Sequence, residues 1–265
     1  MRSRRIDKKR FLRFILILIV LTALIIAIIA SLFNQSGKTL KIGLVASSRP
    51  LTYVDDKKNV SGFESDYARL LAERLGKKPE FKIYKPEELA DALESGAIDC
   101  VVSARQSVHD YMDKAFETVP FISYGLVFVK SPSDESFNGE DDLRDKRVGL
   151  IINSDAEQLS DELLERHSFN VRLYDLEEQP FHDLFLKKND VVLADELFAC
   201  YKQKESPESF QVVNVIYNPM EFGIRLSPKL TKQAAIDIDD AVDEMRSEVS
   251  VVDLFLRWFG SNLSF

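Results

Sequence analysis

Apolar residues fall along this chain in two patterns separated by a short polar stretch. Residues 14–33 (FILILIVLTALIIAIIASLF) run for twenty positions without a charge. At about 1.5 Å rise per residue, such a run crosses the roughly 30 Å hydrocarbon core of a bilayer as a helix. Residues 34–39 (NQSGKT) are polar and read as a linker. From residue 40 onward, short apolar runs alternate with stretches of helical period. LKIGLV (40–45) reads as a strand, and 64–75 as a helix with Tyr67, Leu70, Leu71 and Leu75 on one face and Gly76 as its stop. EFKIYK (80–85) is a second strand. Pro86 then opens a helix carrying Leu89, Ala92 and Leu93, Gly96 closes it, and IDCVVSA (98–104) is a buried strand.

The alternation resumes at RVGLII (147–152). It continues through a helix at 155–167, NVRLYD (170–175), the stretch around 180–186, DVVLAD (190–195) and a helix at 197–204. FQVVNVIYN (210–218) reads as one strand, and two C-terminal helices end in LFLRWFG. Near-continuous apolar strands alternating with helices predict parallel sheets covered on both faces. Two such α/β units, linked near 123–130 and again near 221–227, would face each other across a cleft. Open α/β sheets bind ligands there, at the carboxyl ends of their strands.

Charge gives the apolar run a direction. Arg2, Arg4, Arg5, Lys8, Lys9, Arg10 and Arg13 precede it against a single acid, Asp7. Basic flanks stay in the cytoplasm, so 1–13 is expected inside, 14–33 as a membrane anchor or uncleaved signal, and the rest in the periplasm or outside. A cleaved signal is the competing reading. Its apolar core is usually about 7–15 residues with a small-residue cleavage site, and here the run is longer and ends in Ala27, Ile28, Ile29, Ala30, without a clean Ala-x-Ala.

Removing the basic flank leaves 28 basic and 42 acidic residues, a net charge of −14 on the exported part. That disfavours nucleic acid and anionic lipid headgroups as partners. Cys100 and Cys200 form no CxxC pair. Export would permit a disulfide, but both lie in apolar runs and read as buried thiols. His109, His167 and His182 have no metal-site spacing. GxSxG, GxGxxG and P-loop patterns are absent, and no cofactor is implied.

In order and spacing, several segments resemble the extracellular solute-binding proteins of family 3, the periplasmic amino-acid-binding type of ABC transporters. They are LKIGLV followed by RPLTYVDDKKNVSGFESDYARLLAERLG, ELADALESGAIDCVVSA, VPFISYGLVFVK, DLRDKRVGLIINSDAEQL, DVVLADELFACYK, FGIRLSPKL and LRWFG. The resemblance implies a two-lobed α/β fold of the type II periplasmic-binding class. Lobe I is 40–123 with 224–265 and lobe II is 124–223, joined by two hinge strands, with the helices after about Thr231 returning to lobe I.

It also implies a ligand site, from which this chain departs. The aromatic that the family stacks on its ligand falls at Ser48, beside Arg49. In the loop after the strand ending in Ala104, a hydroxyl residue and, five residues on, an Arg that clamps the ligand carboxylate are implied. This chain has Gln106 and Tyr111 there, with Arg105 adjacent. The family's Gly-Thr-Thr-like helix start, whose N–H groups bind the same carboxylate, becomes Asn153, Ser154, Asp155. Asp155 reads as the helix N-cap, its carboxylate occupying the anion site. Asp195 matches the ammonium-binding acid. The amine half of the site is thus kept, and Arg49 or Arg105 would have to replace the missing carboxylate clamp. Each residue also has a structural reading: Asp155 as a cap, Tyr111 as surface packing, Arg49 and Arg105 as solvated charges, Tyr53 as a core aromatic.

Three functions follow. The first is capture of a small amine-bearing or cationic, amino-acid-like solute for an ABC permease. The second is a ligand sensor or interaction module acting on another membrane protein. The third, an enzyme similar to cyclohexadienyl dehydratases, is opposed by the lost Arg and by Asp155 beside any dianionic substrate.

Overall fold

The computed structural model describes residues 21–22, 39–112, 115–213 and 215–261. The expected membrane span and its basic flank lie outside them, apart from Leu21 and Thr22. Among the described residues no helix is long and apolar enough to cross a membrane.

Strand β1 (Thr39–Leu44) opens the first sheet, with Leu40, Ile42 and Leu44 fully buried on its inner face. A small hairpin, β2 (Tyr53–Val54) and β3 (Val60–Ser61), leads into helix α1 (Phe63–Arg74). Gly62 begins that helix at φ 123°, and a Cβ there would stand 1.8 Å from the Leu51 carbonyl oxygen, so only glycine allows this approach. Phe63, Tyr67, Ala68, Leu71 and Ala72 then form one buried stripe against the sheet. β4 (Lys78–Ile83), α2 (Leu89–Ser95), β5 (Cys100–Val101), the single turn α3 (Gln106–His109) and β6 (Phe116–Glu117) complete the N-terminal part.

The chain crosses to the second sheet along β7 (Ile122–Lys130). There β8 (Arg147–Ile151), α4 (Asp155–Leu164), β9 (Asn170–Tyr174), α5 (Glu178–Phe185), β10 (Val191–Asp195) and α6 (Glu196–Glu205) alternate as anticipated. β11 (Gln211–Val212) and β12 (Tyr217–Phe222) follow, and the chain returns through β13 (Arg225–Leu226) to α7 (Lys232–Met245) and α8 (Val249–Phe259).

The first sheet has the order β4-β1-β5-β13-β6 and the second β11-β7-β10-β8-β9, with β12 also on β7. Neither is purely parallel. β1, β4 and β5 run parallel, as do β8, β9 and β10, whereas the crossing strands β7, β12 and β13 pair antiparallel to their neighbours. A strand that leaves one unit for the other cannot be followed by the crossover helix that parallel pairing requires.

Two strand expectations need correction. The run 210–218 is not one strand: β11 ends at Val212, and the ladder of β12 shifts register between Tyr217 and Met220. Asn218 sits there at φ 47° and Pro219 has no N–H to donate, which makes a bulge. In 98–104 only Cys100 and Val101 are strand. Beyond them the Ala104 N–H turns to the Glu64 carboxylate (2.8 Å) instead of a neighbouring strand.

The first sheet and α1 share one core with α7 and α8: Phe63 lies 5.1 Å from Phe255 and 5.0 Å from Phe259, centroid to centroid. Cys100 and Cys200 are both buried and unpaired, and burial pushes the Cys200 thiol up to about 11.

Candidate ligand-binding cleft

A cavity of about 430 Å³ lies between the two sheets, within the usual range for small-molecule sites. Its walls come from the segments after β1 (Arg49–Leu51), β5 (Arg105–Ser107), β8 (Asn153–Ala156), β9 (Glu177) and β10 (Asp195), with Tyr124 of β7 and Met220 of β12 behind them. All five segments leave the carboxyl ends of strands, where backbone groups no longer paired in the ladder are open to a ligand.

Asp195 ends β10 and caps α6. Its Oδ1 accepts from the backbone N–H of Leu197 (2.8 Å) and Phe198 (3.2 Å). Crowding by protein raises its pKa to about 7. The two N–H groups and the nearby Arg105 guanidinium oppose that rise, and Glu177 adds to it. The Tyr124 hydroxyl, which donates to the Ala104 carbonyl oxygen, lies beside Asp195 and is held protonated by burial and by that carboxylate.

Arg105 projects from the opposite wall. Its Nη2 stands 3.4 Å from Ser48 Oγ and 3.8 Å from Glu177 Oε1, and Ser48 Oγ donates to Glu177 Oε2 (3.0 Å). These contacts join loops of the first unit to the second across the mouth of the cleft. The Arg105 Nε is buried and has no hydrogen-bond partner among the described residues. Arg49, by contrast, is engaged: its guanidinium carbon lies 4.5 Å from the centroid of Tyr53, whose ring meets Trp258 edge-on.

The start of α4 differs from expectation. The N-cap is Ser154, not Asp155: the Ser154 hydroxyl accepts from the Glu157 N–H, and Glu157 reaches back to the Asn153 N–H (2.5 Å). Asp155 is therefore the first helical residue and is exposed. A short hydroxyl fits the cap once the i+3 residue is a Glu that answers it, so the pair Ser154–Glu157 overrides the acid one position later.

Of the residues singled out from sequence, Arg49, Arg105, Gln106, Ser154, Asp155 and Asp195 line the cavity and Ser48 sits at its rim. Tyr53 and Ala104 are not among the residues that line it. Tyr111 is 51% exposed on the turn after α3, outside the lining. Sequence reading missed Glu177, Tyr124 and Glu64. Glu64 is buried behind the Arg105 loop and accepts from Thr52 Oγ1 (2.5 Å), Ser103 Oγ (3.3 Å) and the Ala104 N–H. Tyr124 left a signal, since a tyrosine inside a buried strand needs a partner for its hydroxyl. Among the described residues no group of three His, Cys, Asp or Glu could hold a metal ion.

Comparison with known proteins places this architecture. The model for bacterial extracellular solute-binding proteins, family 3, matches residues 40–261. The L-cystine-binding protein TcyJ of Escherichia coli (strain K12) is 26% identical over 228 residues, 85% of this chain and 84% of that protein. The L-cystine solute receptor of Neisseria gonorrhoeae, in its unliganded open conformation, superposes with a TM-score of 0.71 at 19% identity, covering 87% of this chain and 96% of the receptor. A polar amino acid ABC uptake transporter substrate-binding protein from Streptococcus thermophilus gives 0.75 at 21% identity, over 87% and 89%. At these identities the two structures establish the shared fold. The match over 40–261 establishes more: the chain belongs to the bacterial extracellular solute-binding proteins of family 3.

Proposed function

We propose that this protein captures an amino-acid-like solute carrying an amine and hands it to the permease of an ABC importer, held at the outer face of the membrane by a helix over 14–33. One observation carries the reading. Asp195 and Arg105 put an acid and a guanidinium on the walls of a single cavity of amino-acid size. Asp195 takes the ligand ammonium. Arg105 takes its carboxylate and so replaces the clamp absent at Tyr111. The family relatives support the solute class, since the Escherichia coli relative is named for L-cystine.

Thermal unfolding of the full chain in detergent, with and without a panel of amino acids and polyamines, tests the solute. A ligand at 100 times its Kd adds about 2.7 kcal/mol of stability. A melting temperature unmoved by every amine-bearing compound would count against capture and in favour of a sensor or interaction role. The tether is tested separately: alkaline carbonate washing of membranes should leave the full chain in the pellet, and its release would rule out an uncleaved helix.

A further inference from the structure

The two segments that pass between the units change their hydrogen bonding at one level. On either side the pairing is regular: Ile122 faces Phe222 in β7 and β12, and Glu117 faces Arg225 in β6 and β13. Between these pairs, two N–H groups of the return segment go to side chains. Gly223 donates to Glu117 Oε1 (2.8 Å) and Ile224 to Thr118 Oγ1 (2.9 Å). A ladder of backbone groups fixes the angle between strands, whereas an acceptor on rotatable bonds can follow its donor as they turn. The second oxygen of Glu117 meets Arg225 Nη2 (3.2 Å). Arg225 also donates from Nε to His109 Nδ1 (3.1 Å) and from Nη1 to the Ala115 carbonyl oxygen (3.3 Å). Glu117 Oε1 and His109 Nδ1 lie 3.4 Å apart, two acceptors kept side by side because one guanidinium serves both residues. From there His109 reaches the cleft wall through the Ser103 carbonyl oxygen, two residues before Arg105. The Arg225 side chain is 14% exposed and that of His109 4%, so water is poorly placed to replace a missing partner.

Resting on the assignment of Arg105 above, we infer that Glu117 is a positioning residue for ligand capture: one oxygen clasps the return segment at the bend, and the other, through Arg225 and His109, fixes the segment that presents Arg105. The angle between the units and the placement of the guanidinium then answer to a single carboxylate outside the cleft. Turning one unit on the other moves Gly223 and Arg225 against Glu117, and the shift reaches Arg105 through His109.

Two measurements on the full chain in detergent test this, and neither needs a solute. The first is amide exchange across 103–112 by mass spectrometry, where the Val108 and His109 N–H groups both bond to the Arg105 carbonyl oxygen (3.0 and 3.3 Å). The second is the distance between spin labels on the two units, attached through Glu87→Cys and Glu162→Cys, both exposed, while Cys100 and Cys200 are buried. Glu117→Ala should speed exchange in 103–112 about tenfold, the scale of one charge-assisted hydrogen bond, and broaden the label distance, with β8 and β10 still slow. Glu117→Gln still accepts from Gly223 but offers no charge to Arg225. It should restore the narrow distance and leave the exchange fast. Arg225→Met should show the same split. Ser154→Ala, which costs stability in the second unit, should change neither reading. Parent-like exchange and distance in Glu117→Ala, with only a lowered urea midpoint, would reduce Glu117 to an ordinary ion pair and overturn the inference. Should Glu117→Ala not fold, parent-like exchange in Glu117→Gln and Arg225→Met would overturn it equally. Solute capture is judged by the melting panel alone, so either reading can fail while the other stands.

Discussion

Asp195 combines two duties that usually conflict. As the cap of α6 it accepts two backbone N–H groups through one oxygen, and as a crowded acid in the cleft it is raised to about 7. Asp195→Asn separates them, because Asn is as good a cap as Asp but brings no charge. Binding of an amine should then weaken by about 30-fold to several-thousand-fold, the consequence of removing one partner of a buried charge pair, about 2–5 kcal/mol. Near pH 4 and below, the denaturation midpoint should hardly move; near neutral pH it should rise, because Asn lacks the ionisation that costs the folded parent stability. The same residue sets a pH dependence. An ammonium needs the ionised carboxylate, so affinity should be flat above about pH 7 and fall close to tenfold per unit below it. For the free protein the sign reverses. The unfolded chain ionises Asp195 near pH 4 and the folded one near 7, so this group's contribution to stability declines as pH rises between those values. Calorimetric titrations from pH 5.5 to 8.5 check the first slope, and both slopes should vanish in Asp195→Asn. At α4, Ser154→Ala should cost about 1 kcal/mol as a lost cap. Asp155→Asn should cost only about 0.3–1 kcal/mol as a lost favourable end charge, and urea midpoints of the two variants rank them. Asp195 was legible in sequence because an acid ending an apolar strand has one place to go. Glu177 was not: Asp175, Glu177 and Glu178 are equivalent as letters, and only the path of the chain into α5 selects which of them faces the cleft.

Among elements, the segment from Ser103 to Met112 positions Arg105, and the protein holds it from beneath. Glu64 accepts the Ala104 N–H. On the far side His109 is buried, and burial lowers its pKa. Its Nδ1 accepts from Arg225 Nε (3.1 Å), so Nε2 carries the proton and donates to the Ser103 carbonyl oxygen (2.8 Å). Burial raises the pKa of Glu64, against the bonds from Thr52, Ala104 and Ser103 that favour its ionised form. Glu64→Ala should therefore destabilise by about 1–3 kcal/mol, the penalty for a buried N–H left unmade, and weaken binding through a loosened Arg105. Glu64→Gln, which still offers an oxygen to that N–H, should lose less of both. Chemical denaturation beside calorimetry reads the two effects. The order of elements was legible because strand-length apolar runs and amphipathic helices alternate. Where the reading failed, at 98–104 and 210–218, apolar residues continue but the backbone leaves the ladder, for a buried carboxylate in one case and, in the other, where the Val215 N–H turns back to the Val213 carbonyl oxygen.

At the scale of the molecule, the cleft owes its position to strands that run from one unit into the other. Gly125 on β7 lets the return strand approach: a Cβ there would come within 2.4 Å of the Tyr217 carbonyl oxygen. Next to it, Glu196 at the start of α6 accepts the Gly125 N–H (3.1 Å), which couples the crossing strand to the helix that Asp195 caps. The order of these crossings has a consequence for how the protein is made. Every strand of the second sheet lies between Ile122 and Phe222, so that unit is complete once a single continuous stretch has emerged. The first unit begins earlier and finishes later. Its core around Phe63 stays open until Val251, Leu254, Phe255 and Phe259, each at most 1% exposed in the finished fold, have been synthesised and have folded back. A chain ending at Arg246 should accordingly keep slow amide exchange in β8 and β10 and lose it in β1 and β5, a split visible by mass spectrometry, whereas loss in both sheets together would mean that the two units fold as one. The part of the protein that is born first is thus the last to mature, and until its final helix arrives it has a half-finished core to shield from other nascent chains.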